Sequence, residues 1–120
     1  MKVMSLEFQL SIEIMTPVRL VTGGICALAG FDLDDAEDCK VCVTESLLLL
    51  LHRGGKNVQV SFEREDGGLK ISFCAEGDGE KQEKPAEEEI SVALLNALVS
   101  DLTINTKDTM MNISFGIGKL

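Results

Sequence analysis

Hydrophobic and polar residues alternate from residue 4 to residue 14, with Met4, Leu6, Phe8, Leu10, Ile12 and Ile14 on one side and Ser5, Glu7, Gln9, Ser11 and Glu13 on the other. A period of two sends successive side chains to opposite faces of an extended chain, so this segment predicts a half-buried strand. The period then changes. Thr16-Pro17 offers an N-cap and a first-turn proline, and Val18, Val21, Ile25, Leu28 and Ala29 recur at helical spacing until Gly30, which predicts a first helix of about four turns. Asp34 or Asp35 is the expected cap of a second helix, because Asp35, Glu37 and Asp38 cluster where the helix dipole favours negative charge. That helix is expected to run to His52 and stop at Arg53-Gly54-Gly55. Its apolar run Leu47 to Leu51 leaves almost no polar side, which predicts burial between another helix and a sheet.

Val58, Val60 and Phe62 alternate with Gln59, Ser61 and Glu63, and after Glu65-Asp66-Gly67-Gly68 a second set, Leu69, Ile71 and Phe73, does the same. This is the pattern of a hairpin. Residues 75 to 89, AEGDGEKQEKPAEEE, are rich in Gly, acids and lysines and predict a mobile solvated loop between two structural halves. Ile90, Ala93, Leu94, Ala97 and Leu98 mark a third helix with its apolar face toward the core. Leu102 and Ile104 begin a strand, Lys107-Asp108 makes a turn, and Met111, Ile113, Phe115 and Ile117 alternate to the end. The predicted order is βααββαββ. It suits one α/β (α+β) two-layer sandwich over residues 1 to 120, with a mixed, mostly antiparallel sheet covered on one face by three helices.

At 120 residues the chain has room for one core. Twenty acidic against eleven basic residues give a net charge of −9, which removes the positive field that attracts nucleic acids and anionic membranes. With 45% hydrophobic residues it is a globular rather than a disordered chain. The absence of Trp and Tyr also takes away the usual aromatic anchors of a binding surface. No apolar run approaches the ~20 residues that span a bilayer, and the first residues, with Glu7, Gln9 and Glu13 at alternating positions, do not read as a signal peptide. A cytoplasmic location is expected, with Cys26, Cys39, Cys42 and Cys74 as free buried thiols.

Three features could carry chemistry. Cys39-x-x-Cys42 invites a redox or zinc reading, but it lies inside a helix between apolar neighbours, and the one histidine, His52, is about three turns away. Small apolar residues in a helix face are the expectation there, and no metal site is assigned. Glu45 is a lone acid entering the most apolar stretch of the chain, so its carboxylate must reach water or find a donor. Periodicity favours the water-facing side, and a general base is the functional alternative. His52 and Arg53 stand where cations complement a helix C-terminus. Finally, Gly77 and Gly79 follow the second hairpin strand, where glycine permits close backbone approach to a ligand but more often marks a turn.

Val18-Arg19-Leu20, Gly24-Ile25, Ala29-Gly30-Phe31 and the run from Asp34 to Thr44-Glu45 together resemble the anti-sigma-factor serine kinases of bacteria, over almost the whole chain. That family shares the GHKL ATP-binding fold of gyrase, the histidine kinases and the DNA mismatch-repair ATPases. The resemblance implies that Glu45 is the general base. It also implies that an asparagine four residues later holds magnesium, that an aspartate at the end of the strand before alternating glycines reads adenine, and that a glycine-rich start of the last helix receives phosphates. In this chain those positions hold Leu49, Ala75 before Gly77 and Gly79, and Glu89-Ile90-Ser91-Val92 preceded by Glu87 and Glu88. Leu49 offers no oxygen to a hard cation, and three carboxylates repel a triphosphate.

The expectation is therefore a regulatory protein that acts by docking and has lost ATP binding. Its nucleotide-pocket positions Leu49, Ala75, Gly77, Gly79 and Ser91 would no longer serve a nucleotide, and no cofactor is expected. The competing reading is an active serine kinase and anti-sigma factor, using ATP and Mg, with Glu45 activating the hydroxyl of a partner. A third, an isolated redox or metal protein built on Cys39 and Cys42, ranks below both. The partners implied by the resemblance are a sigma factor or a STAS-domain anti-anti-sigma protein, together with a second copy of the chain. Residues 77 to 88 would correspond to the family's nucleotide lid.

Overall fold

A computed structural model describes residues 1–77 and 85–118. Five strands form one open sheet: β1 (Lys2–Gln9), β2 (Asn57–Glu65), β3 (Gly68–Glu76), β4 (Ser100–Lys107) and β5 (Met110–Gly118). Three helices accompany it: α1 (Met15–Leu28), α2 (Leu33–His52) and α3 (Pro85–Leu98). The sheet order is β1-β2-β3-β5-β4, and every pairing is antiparallel rather than mixed. The architecture is α+β in the predicted element order.

Cross-strand register explains why one sheet face is core and the other is not. Val58, Ala75 and Met111 align in one row, Val60, Phe73 and Ile113 in the next, and Phe62, Ile71 and Phe115 in the third. All nine are buried, and the Phe73 and Phe115 rings lie 6.0 Å apart in a tilted arrangement. The alternate residues make the opposite face polar, with Ser5, Ser61, Ser72, Ser114 and Thr103 in one row across all five strands. The Thr103 and Ser114 hydroxyls are 2.7 Å apart.

The leucine-rich end of α2 lies inside as predicted. Leu47, Leu49 and Leu50 are buried, and α2 packs against α1 on one side, α3 on the other and β5 beneath. Polar groups on the buried faces are met locally: Thr22 donates to the Val18 carbonyl at 2.8 Å and Ser46 to the Cys42 carbonyl at 2.8 Å.

Several element ends differ from the sequence pattern, each for a local reason. The first strand stops at Gln9, and Ile12–Ile14 form a 3₁₀ turn; alternation alone cannot distinguish these, since isoleucines two apart also occur in a tight turn. Helix α1 begins at Met15 with Ile14 as N-cap and no side-chain cap, so Thr16 is already helical. The cap of α2 is Asp32, whose carboxylate accepts from the Asp35 amide at 2.8 Å, rather than Asp34 or Asp35. Both Asp34 and Asp35 fall within its first turn. Strand β3 continues to Glu76 and α3 starts at Pro85, so the expected loop of residues 75 to 89 is shorter at both ends. Of the lid expectation, residues 85–88 are helical, while residues 78–84 lie outside the described residues. Proline suits the first turn because its missing N–H is not needed there.

The core face of α3 is also rotated from the predicted one. Ser91 and Leu95 are its buried residues, Leu94 and Leu98 are half-buried, and Ile90, Ala93 and Ala97 face outward. An apolar count assigns a serine to the surface, whereas this one has a partner waiting in the interior.

Candidate functional site

That partner is Glu45. The Ser91 hydroxyl donates to the half-buried Glu45 at Oε2, at 2.7 Å, across the contact between α3 and α2. It has found a donor within its own chain. Two further pairs join the same helices about two turns farther along α2 and one turn nearer the start of α3. The Arg53 guanidinium donates to Glu88 Oε1, and His52 Nε2 stands 3.6 Å from Glu87 Oε2. His52 is 9% exposed and its Nδ1 has no hydrogen-bond partner among the described residues. The Arg53 hydrogen bond holds the Glu88 carboxyl below its ordinary range.

The geometry follows from helix ends. His52 and Arg53 lie at the C-terminus of α2, where the dipole favours cations, and Glu87 and Glu88 lie in the first turn of α3, where it favours anions. Bringing these two ends together sets the cationic end of one helix against the acidic start of the other and gives Arg53 and Glu88 a direct partner. Three polar links thus clasp the start of α3 to the second half of α2.

Of the positions assigned from the resemblance, Leu49 is 0% exposed and Ala75 1%; one supplies no oxygen and the other no carboxylate. Gly77 serves its own chain. Its amide donates to the Thr109 carbonyl at 2.6 Å, and a Cβ there would come within 2.5 Å of the Met111 methyl. Gly79 lies outside the described residues. The structure therefore brings Glu45 and Ser91 together, places Leu49 and Ala75 in the core, and gives Gly77 a packing role. Residues fit to hold an ATP–magnesium complex are not found in this set: the metal position is aliphatic, the adenine position is a methyl group, and the helix start is acidic.

The pairing of Arg53 with Glu88 is not legible in the sequence. The signal was present, in a cationic end of one helix and an acidic beginning of another, but sequence does not say which helix ends meet.

The cysteine pair also separates. Cys39 and Cys42 are both buried in α2, but the contact of Cys39 is with Cys26 of α1. Its hydrogen bond with that thiol, together with burial, pushes Cys39 above the ordinary thiol range. Burial pushes Cys42 up to about 12, helped by the charges of Asp38 and Glu45. Cys74, expected in the interior, is half-exposed on the polar face of the sheet, because the alternation of β3 sends it opposite to Phe73 and Ala75. It borders a shallow groove of about 250 Å³ that Glu7, Asn57, Gln59, Glu76 and Met110 also line. Among the described residues, no group of three or more His, Cys, Asp and Glu side chains is placed to hold a metal ion. No helix is long and apolar enough to cross a membrane.

No known protein-family model matches the chain, and no curated protein matches it.

Proposed function

We propose that this chain is a cytoplasmic regulatory protein with the anti-sigma-kinase form of the GHKL fold that acts by docking to a sigma factor or a STAS-domain anti-anti-sigma protein, without ATP. The observation that carries this reading is the Ser91–Glu45 hydrogen bond beside a fully buried Leu49. A carboxylate that is to deprotonate a partner's serine needs a free lone pair facing that serine. Here Oε2 already accepts from Ser91 of the same chain, and four residues along the helix, where magnesium would be gripped, is an aliphatic core residue. The Arg53–Glu88 and His52–Glu87 contacts add to this, because they tie down the helix start at which phosphates would arrive. What remains is a helical layer in an acidic domain, suited to recognition by surface.

The test is calorimetric titration with Mg-ATP. No saturable binding is expected up to millimolar nucleotide. Micromolar binding that requires magnesium would sink the proposal and restore the kinase reading.

A further inference from the structure

We propose that Cys26 and Cys39 are the two halves of a reversible disulfide that joins α1 to α2, formed with a small peroxide as oxidant and opened by a thiol reductant. Both are free, fully buried thiols in this structure. Cys26 lies in the last turn of α1 and Cys39 in the first half of α2, and the two hydrogen-bond each other where these helices pack. The helices run close together at this level. A Cβ added to Gly23, about one turn before Cys26, would come within 2.9 Å of the side chain of Lys40, the residue after Cys39. The Cys39-x-x-Cys42 spacing, by contrast, does not suit a bridge: residues three apart on a helix keep their Cβ atoms about 5–6 Å apart, and a disulfide needs about 3.5–4.5 Å. This chemistry goes beyond the docking reading and does not rest on it.

Cys26 is the thiol that reacts first. The hydrogen bond from Cys39 favours its ionised form, and so does the Lys40 ammonium; together they outweigh burial and the charge of Asp35. Gly23 leaves the gap across which the Lys40 side chain reaches. The same hydrogen bond, with burial, keeps Cys39 protonated. The Cys26 thiolate attacks one oxygen of the peroxide and the O–O bond breaks. Cys26 becomes a sulfenic acid, and the hydroxide released takes up a proton as water. The Cys39 sulfur then attacks the Cys26 sulfur; the S–S bond forms, the S–O bond breaks, and the departing hydroxide carries away the Cys39 proton as a second water. Two thiols have been oxidised and one peroxide reduced to two waters. A thiol reductant reverses the bridge by exchange. Access lies at the end of α1, which stops two residues after Cys26 and is followed by exposed Gly30 and Asp32, so opening one terminal turn admits a molecule as small as peroxide. Twelve residues separate the two cysteines, and the bridge acts on stability by closing that loop in the unfolded chain.

The test treats the reduced full chain with stoichiometric hydrogen peroxide, quenches with catalase, unfolds the protein in the presence of an alkylating agent and maps the cysteines by mass spectrometry. The expected product is two hydrogens lighter, with Cys26 bridged to Cys39 within one chain, Cys42 and Cys74 alkylated, and all four cysteines alkylated after dithiothreitol. Cys74→Ser should leave the bridge unchanged, and Lys40→Met should slow its formation several-fold. The bridged chain should melt about 5 °C or more above the reduced one, a difference that Cys26→Ala, with its fold verified by circular dichroism, abolishes. Oxidation confined to Cys74, with Cys26 and Cys39 recovered as alkylated thiols, overturns the proposal, and so does a Cys39–Cys42 bridge. A bridge that forms only in urea, or one that lowers the melting midpoint, overturns it equally, since the two thiols then meet only in an opened chain. None of these outcomes depends on whether the chain binds ATP or a docking partner.

Discussion

Leu49 shows how much one side chain decides. It is fully buried, so replacing it with the asparagine that the resemblance implies does not recreate a metal ligand; it puts an amide into an apolar core. Leu49→Asn is expected to cost about 3 kcal/mol, from lost packing and an unpaired polar group, and to leave Mg-ATP binding undetectable. Urea denaturation and calorimetry on the same protein check both halves. Ser91→Ala removes the donor that faces Glu45 and should cost about 1–2 kcal/mol by the same denaturation experiment. Glu45 itself was singled out by its sequence, as a charge entering an apolar run, but its partner was not. Ser91 lies 46 positions away, and only the packing of α3 on α2 pairs them. Cys42 adds a test in alkali. Its thiol is held protonated up to about 12 in the folded protein, while the unfolded thiol ionises near 9. The unfolded state therefore loses its proton first as pH rises, and stability present below pH 9 is lost progressively toward 12. Cys42→Ala should flatten that alkaline decline in a series of melting curves, relative to wild type.

Among the elements, those with long regular periods were legible and their ends were not. Twenty residues of α2 and the alternation of β2, β3 and β5 could be placed from hydrophobic period alone, because each buries one continuous face. The end of β1, the α2 cap and the start of α3 depend on single hydrogen bonds and on which polar residue meets which. Asp32 is such a case, since Asp34 and Asp35 fit the same acidic pattern, and Asp32→Ala should cost about 1 kcal/mol while Asp34→Ala costs little. The N-terminal turn of α3 carries Glu87 and Glu88 of the clasp, while the buried residues of the helix, Ser91 and Leu95, lie farther along it. Arg53 depresses the Glu88 carboxyl, so the contact contributes stability above the unfolded pKa and loses it as pH falls through the lower folded value. Hydrogen exchange at residues 86–90 should accordingly speed up on acidification more than exchange in α2 does. Arg53→Met should remove that difference.

At the scale of the molecule, net charge and the clasp respond to salt with opposite signs. A charge of −9 on a chain of 120 residues destabilises the compact state by self-repulsion, and raising ionic strength screens it. The midpoint of thermal unfolding is therefore expected to rise as salt increases from about 0.01 M, where the Debye length is ~30 Å, to 0.15 M, where it is ~8 Å. The Arg53–Glu88 pair is attractive and partly exposed, so the same salt weakens it. Global stability should go up while exchange protection at the start of α3 goes down. A two-layer fold with all its charge effects spread evenly would move both observables together. If melting and α3 exchange shift in the same direction across that salt range, the clasp is not what holds α3 to α2. Opposite shifts, abolished for α3 in Arg53→Met while the melting trend persists, assign the attraction to those two helix ends and the repulsion to the acidic surface as a whole.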